Sequence, residues 1–199
     1  MMNHSLKPGT LIVLEGLDKT GKSTQTNALR QALDRNSTAH VHMPSGLSTF
    51  TDETYSMLES GYRAPASGVA KQLAHLACHA ESVPRIKELL ATQAVVLDRW
   101  WWSTMAYGWY SGDFPAAGIT EATFRNLIES IWSQLNASVV FLFDKTYEDD
   151  ANNSDPILDG YQQLAKSHED LTVRVPQGAP SDVTAFLLNA LRDRELLAG

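Results

Sequence analysis

The sequence predicts an α/β protein in which a five-stranded parallel sheet lies between two layers of helices. Five short apolar runs are spaced along the 199 residues, and segments with helical periodicity separate them. Apolar strands that alternate with helices are typical of a parallel sheet covered on both faces. A glycine-rich turn directly follows the first apolar run. The length suits a single domain over residues 1–199 with a substantial core.

The predicted strands are short and apolar. They cover residues 11–14, 39–43, 94–98, 138–143 and 171–175. The second is closed by the turn at Pro44, and the third ends on the charged Asp98. Ligands of such sheets bind beyond the carboxyl ends of the strands. The sequence therefore predicts a site formed by the glycine-rich turn, the Pro44 turn, Asp98-Arg99 and Asp144.

The predicted helices fill the gaps between the strands. They cover residues 23–33, 52–60, 69–80, 85–91, 103–110, 120–135, 156–168 and 182–197. Pro84 is expected to separate two of them, because proline has no N–H for the helical ladder. Thr120 is a predicted N-cap, and Thr123, Phe124, Leu127, Ile128 and Ile131 are expected to face inward.

Composition favours the interior of a cell. Sixteen basic and 23 acidic residues give a net charge of −7, which argues weakly against a broad nucleic-acid surface. Cys78 is the only cysteine, so no disulfide framework is expected. The opening MMNHSLKPG has no apolar signal region, and no run approaches the ~18 residues that span a bilayer. We expect no membrane association and a cytoplasmic location, which would be a host cytoplasm if a phage encodes the chain.

The turn after the first strand carries the pattern G-x-x-x-x-G-K-[ST], with Gly16 first and Gly21-Lys22-Ser23 last. In this context backbone N–H groups and the following helix N-terminus cradle phosphate oxygens, the lysine reaches the β- and γ-phosphates, and the hydroxyl lies on Mg²⁺. The pattern predicts a P-loop that binds a nucleoside triphosphate; the alternative is a glycine-rich turn without a ligand. The predicted ATP-binding residues are Gly16, Asp18, Lys19, Thr20, Gly21, Lys22, Ser23 and Thr24.

Two motifs resemble those of thymidylate kinases. The block DRWWWSTMAY, from Asp98 to Tyr107, resembles their DR[YHF]xxSxxAY signature. The loop EGLDKTGKST resembles theirs as well, including Glu15 and Asp18, and the helix containing Tyr161 resembles the element before their last strand. The resemblance spans nearly the whole chain. It implies a P-loop NTPase fold and an ATP-dependent kinase that moves the γ-phosphate of Mg·ATP to dTMP or a 5-modified dUMP.

The resemblance also implies a role for each matching residue. Lys22 would hold the donor phosphates, Lys19 would stabilise the transferring phosphoryl group, and Arg99 would bridge donor and acceptor. Ser23 and Asp98 would arrange Mg²⁺. Acceptor-binding residues would be Asp18, His42, Arg63, His79, Arg99, Trp100, Ser103 and Tyr107.

Structural roles remain open for several of these residues. Asp98 and Arg99 are alternatively a structural pair, Lys19 a solvated charge and Tyr107 a core residue. Three consecutive tryptophans on a helix start cannot all face one ligand, so burial is expected for most of Trp100 to Trp102.

Three features depart from the family pattern. His42 replaces an arginine that grips the acceptor monophosphate, and His79 replaces an arginine that bonds the thymine edge; Arg63 is a candidate replacement. A neutral imidazole supplies neither the permanent charge nor the two-pronged donor face of an arginine. The lid segment, 144–161, is short, and no Lys or Arg lies between Lys145 and Lys166. A shortened lid would leave the acceptor site open.

The spacing of His75 and His79 would also suit a zinc pair, but no further ligand pattern accompanies it.

Two other functions remain open. One is a phage-type kinase that phosphorylates the 5-hydroxymethyl group of 5-hydroxymethyluracil in DNA, which would account for the missing arginines and the clustered aromatic residues. The charge of −7 opposes it, because phosphate neutralisation provides much of DNA affinity. The other is a non-catalytic ATP-binding protein, which the presence of Lys22, Ser23, Asp98 and Arg99 disfavours. Relatives commonly pair as dimers, so a homodimer is also open.

Overall fold

The computed structural model describes residues 4–198 and contains a five-stranded parallel sheet. The strands are Leu11–Gly16 (β1), Thr38–His42 (β2), Ala94–Asp98 (β3), Val139–Phe143 (β4) and Thr172–Arg174 (β5). Their order is β2-β3-β1-β4-β5, and every neighbouring pair is parallel. β1 lies in the centre and is buried along its whole length. The predicted α/β class and five-stranded parallel sheet are confirmed.

Helices precede or follow each strand. They are Lys22–Ala32 (α1), Thr49–Leu58 (α2), Gly68–Leu90 (α3), Trp101–Thr104 (α4), Asp113–Ala116 (α5), Glu121–Trp132 (α6), Asp155–Ser167 (α7) and Pro180–Asp193 (α8). A π-helical segment, Met105–Tyr110, continues α4, and a short 3₁₀ turn, Glu169–Leu171, precedes β5. Within residues 4–198 no helix has the length and apolar character needed to cross a membrane.

The sheet separates two apolar cores. Successive side chains of a strand point to opposite faces, so Leu11 and Val13 of β1 pack with α3 and α6, while Ile12 and Leu14 pack with α1 and α8. The first core also holds Trp100 and Trp102, which are buried as expected. Three packed layers result, and the loops at the carboxyl ends of the strands remain at one edge.

The prediction that Pro84 separates two helices is wrong, because α3 runs through it without interruption. Proline costs a helix interior roughly 3 kcal/mol. Here Pro84 lies on the exposed face of the helix, as does Ala80, whose carbonyl loses its N–H partner. Val83 and Ile86 are buried on the opposite face. Burial of that face outweighs the lost hydrogen bond.

Two other local expectations also need correction. Thr123 and Leu127 are expected to face inward, but Thr123 is exposed and Leu127 is 42 % exposed, because the inner face of α6 presents Phe124, Ile128 and Trp132 at a spacing of four residues. The helix expected over 103–110 begins at Trp101 instead and becomes π-helical from Met105. Thr120 is the N-cap of α6 as predicted, since its hydroxyl accepts a hydrogen bond from the Thr123 N–H at 3.2 Å.

Candidate active site

The predicted phosphate loop lies between β1 and α1 and has the backbone that its glycines allow. Gly16 has φ 132°, and a Cβ there would lie 2.0 Å from the carbonyl oxygen of Phe143 on the neighbouring β4. Gly21 has φ 86° and directly precedes α1. Both positions therefore require glycine. The loop delivers the first turn of α1, with Ser23 and Thr24 exposed, to the carboxyl edge of the sheet.

Lys22 is folded back onto this loop. Its Nζ donates to the Gly16 carbonyl at 3.0 Å, to the Thr20 hydroxyl at 3.4 Å and to the Leu17 carbonyl. The side chain is only 6 % exposed. Burial, helped by the nearby Arg99 charge, lowers the pKa of Lys22 to about 7. The one buried lysine ammonium of the described chain thus lies where phosphate oxygens would bind.

A cavity of about 320 Å³ opens beside the loop on the β5 side. Thr20, Gly21 and Thr24 line one wall. Tyr147 and Gly178 contribute to the other wall, where the Tyr147 hydroxyl donates to the Gly178 carbonyl at 3.0 Å. Its walls are mostly carbon with a few polar groups, which suits a nucleobase next to a phosphate loop.

At the end of β3, Asp98 faces α1 and β2. Its Oδ2 lies 3.3 Å from Nδ1 of His42 and 3.4 Å from the Thr26 hydroxyl. Burial raises the pKa of the Asp98 carboxyl, but the hydrogen bond and charge of His42, together with Arg99 and Lys22, outweigh it and hold the pKa below its usual range. Asp98 is therefore an ionised carboxylate beside the first turns of α1.

Arg99 connects the loop with the far side of the sheet edge. Its guanidinium forms an ion pair with Asp18 and donates to the Ser103 hydroxyl at 3.1 Å and to the Gly16 carbonyl at 3.4 Å. The backbone has φ 71°, in the left-handed region that non-glycine residues rarely adopt. Such strain occurs where the surrounding structure fixes a functional side chain.

Glu15 holds the start of α4 in place from beneath. One carboxylate oxygen accepts from the N–H groups of Trp100 at 2.7 Å and Ser103 at 3.0 Å, and the other accepts from the Ser103 hydroxyl at 2.7 Å. Tyr161 of α7 donates to the same carboxylate at 3.3 Å. Burial raises the pKa of Glu15. These hydrogen bonds fix the start of α4, and with it the positions of Arg99, which precedes this helix, and of Ser103, which lies in it.

A second cavity, of about 340 Å³, lies on the other side of Arg99. Six of the predicted acceptor residues line it: Asp18, His79, Arg99, Trp100, Ser103 and Tyr107. The indole nitrogen of Trp100 and the hydroxyl of Tyr107 are buried without a partner in the described chain, and Tyr107 has its pKa raised to about 12 by burial. Both atoms are therefore enclosed by neighbouring groups as well as unpaired.

Two of the predicted acceptor residues, His42 and Arg63, do not line this second cavity, and neither does Lys19 of the loop. His42 is paired with Asp98, with its ring edge-on to Tyr55. Arg63 is exposed and contacts Ser60 of the same connection and Ser56 of α2, so the structure does not bring it to the cavity. Lys19 is exposed as well, with its ammonium 4.0 Å from Glu148. Arg63 therefore does not substitute for either of the two arginines that the family pattern has at the positions of His42 and His79.

The segment between β4 and α7 lies directly on the phosphate loop. Asn153 accepts from the N–H of Asp18 at 2.9 Å and donates to its carbonyl at 2.8 Å, so its amide binds both backbone groups of one loop residue. The Tyr147 N–H donates to the Lys19 carbonyl at 2.9 Å. Asn152 lines the second cavity. The part of the predicted short lid that precedes α7, residues 144–154, therefore binds the phosphate loop, and we call it the strap. It carries the amide side chains of Asn152 and Asn153 where the family has arginines.

The predicted donors for Mg²⁺ are the side-chain oxygens of Ser23 and Asp98. No group of three or more His, Cys, Asp or Glu side chains within residues 4–198 forms a metal site. Mg²⁺ commonly uses one or two protein oxygens together with substrate phosphates and water. The exposed Ser23 hydroxyl and the ionised Asp98 carboxylate, both hard oxygen donors beside the loop, fit that pattern.

Comparison with known proteins identifies the family. A family model described as thymidylate kinase matches residues 14–146, well over half of the 199 residues. The chain belongs to the thymidylate kinase family. It is accordingly a nucleotide kinase, which is a phosphotransferase, and the resemblance noted in its motifs is confirmed. No curated protein sequence matches the chain.

Two solved thymidylate kinases share its fold. The enzyme from Ehrlichia chaffeensis superposes with a TM-score of 0.74 at 21% identity, covering 92% of this chain and 98% of the other. The enzyme from Candida albicans gives a TM-score of 0.71 at 20% identity and covers 96% of each chain. The five-stranded P-loop architecture is therefore that of thymidylate kinases, although most of the sequence differs.

Several residues of this thymidylate kinase family member were missed by the sequence reasoning. Asn153 and Tyr147 hold the loop, and the second cavity also has Tyr55, Lys71, Gln72, His75, Thr104 and Asn152 in its walls. The pair Asn152-Asn153 was visible in a segment noted for lacking cations. The contact of Asn153 with Asp18 could not be predicted from the sequence, because 135 positions separate the two residues.

Proposed function

We propose that the chain transfers the γ-phosphate of Mg·ATP to a thymidine-type mononucleotide, dTMP or a 5-modified dUMP, and that residues 1–199 act as a single kinase domain. One observation carries the proposal. Arg99 contacts the phosphate loop through Gly16 and Asp18, and the same guanidinium lines the second cavity. A permanent cation between a phosphate loop and a neighbouring cavity is suited to bridging donor and acceptor phosphates.

The donor half is supported by the loop and the first cavity. The N–H groups of the loop and of the first turn of α1 would hold the phosphates, with Lys22 on the β- and γ-oxygens. The 320 Å³ cavity beside Thr20 and Tyr147 would hold the adenine. Ser23 and Asp98 would hold Mg²⁺, which neutralises phosphate charge when bound. Lys19, exposed on the loop, is a candidate for contact with the transferring group.

The reaction needs positioning and charge rather than a protein nucleophile. An oxygen of the acceptor phosphate attacks the γ-phosphorus as the bond to the β-phosphate oxygen breaks, so that ADP carries away the electron pair of that bond. No general base is required, because a phosphate monoester is already ionised at neutral pH. Lys22 and Arg99 would stabilise the charge that develops on the oxygens in flight. The cavity with Tyr107 and Ser103 would orient the acceptor.

A second acceptor is favoured by one specific observation. Arg99 is the one arginine among the residues of the described chain that line the second cavity, and Lys71 is the other cation there. A site with few phosphate-binding cations suits an acceptor hydroxyl, such as that of 5-hydroxymethyluracil within DNA. The net charge of −7 opposes strong DNA binding. The mononucleotide therefore remains the first candidate.

One assay with labelled ATP tests both acceptors. The acceptors are dTMP, 5-hydroxymethyl-dUMP and a duplex that contains 5-hydroxymethyluracil. We expect label on the mononucleotides. In Lys22→Ala and in Arg99→Ala, turnover should fall by a factor of about 10³ or more, because each substitution removes a positive charge that stabilises the transition state. Lys166→Ala on the exposed face of α7 serves as the control and should retain full activity.

Each outcome of that assay has a definite meaning. Label on the duplex alone would replace the mononucleotide by DNA as the acceptor. Label on none of the three, with ATP binding intact, would favour a non-catalytic ATP-binding protein. Full activity of Arg99→Ala would remove the observation on which the proposal is built.

A further inference from the structure

His79 forms part of the wall of the second cavity and is held there by a tryptophan. The ring is 4 % exposed and lies edge-on to Trp132 of α6, with 5.4 Å between ring centroids. The indole nitrogen of Trp132 donates a hydrogen bond to Nδ1 of His79 at 3.3 Å. The Thr104 hydroxyl lies 3.4 Å from the same Nδ1. One ring nitrogen of His79 is therefore fully engaged on the side away from solvent.

This contact determines where the imidazole carries its proton. An indole N–H can donate but cannot accept, so Nδ1 must offer its lone pair to Trp132. Burial lowers the pKa of His79 to about 3, and the ring is neutral at physiological pH. A neutral imidazole carries one proton, which must then be on Nε2. Trp132 consequently fixes the Nε2–H tautomer.

The other ring nitrogen is available to the cavity. Nε2 has no hydrogen-bond partner within residues 4–198, and it is not among the buried polar atoms that are closed off without a partner. His79 contributes to the lining of the second cavity together with His75 and Thr104. The ring therefore presents an N–H donor, and not an acceptor, to a molecule bound there.

We propose that Trp132 is a positioning residue for acceptor specificity: it holds His79 as the Nε2–H tautomer, so that the ring donates to a base carbonyl and rejects a base with an amino group at the same position. The inference rests on the proposed function, since it assigns the second cavity to the acceptor base. It applies equally to a thymine-type mononucleotide and to 5-hydroxymethyluracil in DNA, because both carry a carbonyl at position 4 of the pyrimidine.

The selection follows from hydrogen-bond pairing. A carbonyl oxygen at position 4 accepts from Nε2–H, whereas an amino group there would place two donors against each other and leave both unpaired in a buried site. Leaving a buried donor unpaired reduces affinity by about 10- to 100-fold. Without the indole N–H, the proton can move to Nδ1 and bond the Thr104 hydroxyl, so that Nε2 becomes an acceptor. The ring would then pair with either base.

The test compares dTMP with 5-methyl-dCMP, which differ in the group at position 4 and in the proton on the neighbouring N3. Binding is measured by calorimetry and turnover by the labelled-ATP assay, for wild type, Trp132→Phe and Trp101→Phe. Trp101 is the matched control because it packs against His168 and does not itself line the second cavity, although its ring contacts Trp100 there. Wild type and Trp101→Phe should prefer dTMP by about 10-fold or more. In Trp132→Phe the ratio should fall below that of wild type and of Trp101→Phe, mainly through stronger binding of 5-methyl-dCMP, because the N3 difference is the same in all three proteins.

A second measurement requires no variant. The ¹⁵N shifts of the histidine side chains in the wild-type protein distinguish a protonated from an unprotonated Nδ1, and His79 should show a proton on Nε2 only. A proton on Nδ1 would overturn the inference even if Trp132→Phe fails to fold. An unchanged preference in a folded Trp132→Phe would overturn it as well, while dTMP turnover by wild type would leave the proposed function standing. If wild type binds neither nucleotide, both fail.

Discussion

Lys22 shows how a positive charge is held in a buried site that opposes it. Its ammonium is buried against two carbonyls and a hydroxyl, and burial brings its pKa to about 7. An ordinary lysine has a pKa of 10.5. In the free protein the charged form is therefore poorly stabilised near neutral pH. A triphosphate supplies the negative charge that the site lacks and favours the protonated form.

Binding of Mg·ATP should consequently take up a proton, and the amount taken up depends on pH. At pH 8, above the pKa of about 7, much of Lys22 is neutral before binding and becomes charged on binding. At pH 6 the group is already protonated and uptake should be near zero. Calorimetry at pH 8 in two buffers of different ionisation enthalpy measures this number directly, and we expect a value between about 0.5 and 1 proton.

Lys22→Met is the control for that measurement. It removes the titrating group but keeps the length of the side chain, so any residual binding should show no uptake at pH 8. Equal uptake in the variant would assign the proton to another group. Release of protons by wild type would contradict the depressed pKa itself.

At the scale of elements, the segment between β4 and α7 acts as part of the phosphate loop. The Asn153 amide binds the N–H and the carbonyl of Asp18, and Tyr147 binds the carbonyl of Lys19. Asp18 in turn pairs with Arg99. A loop residue that forms an ion pair with Arg99 is thus fixed by a segment far away in sequence. Pre-organisation of this kind saves the ordering entropy that substrate binding would otherwise cost.

Replacing Asn153 by alanine should therefore impair catalysis more than stability. We expect kcat/KM for ATP to fall about 10- to 100-fold, because the loop and Arg99 lose their fixed position. The free energy of unfolding should change by only about 1–2 kcal/mol, the value of two exposed-edge hydrogen bonds. Steady-state kinetics and denaturant unfolding measure the two quantities. Asn189→Ala, on the exposed side of α8, should alter neither.

An unchanged kcat/KM in Asn153→Ala would mean that the strap is structural only. A loss of stability far above 2 kcal/mol would point the same way, since the kinetic effect would then follow from partial unfolding.

Elements whose signal is local were predictable from the sequence. The five apolar strands, the phosphate loop with Lys22, and Asp98-Arg99 at the end of β3 all lie where the pattern placed them. Pro84 was misinterpreted because its cost depends on whether the helix face around it is buried, which local sequence does not show. The partners of Glu15, the Asn153 strap and the Trp132–His79 contact join residues 53 to 146 positions apart. The periodicity of a sequence gives no information about contacts between residues so far apart along the chain.

At the scale of the whole molecule, β1 and the phosphate loop that follows it connect the two apolar cores. β1 contributes side chains to both apolar clusters and ends in the loop, and α1 packs on one side while α4 packs on the other. A ligand that orders the loop therefore stabilises the entire fold by mass action, provided that the unfolded chain does not bind it.

Mg·ATP should for this reason raise the midpoint of thermal unfolding. At 100 times its Kd the ligand adds about 2.7 kcal/mol, which corresponds to a rise of roughly 5–11 °C for a domain of this size. Differential scanning fluorimetry with and without EDTA checks it. Lys22→Ala should lose most of the rise. An equal rise in that variant would place the nucleotide somewhere other than the phosphate loop.

The indole of Trp100 borders the second cavity, and Trp132 stands edge-on to it with 6.1 Å between their centroids. Indole emission is sensitive to the polarity and to the stacking partners of the ring. The enzyme therefore carries a built-in fluorophore pair at the place where an acceptor would arrive, and occupancy can be followed by ultraviolet light in unlabelled protein, turnover by turnover.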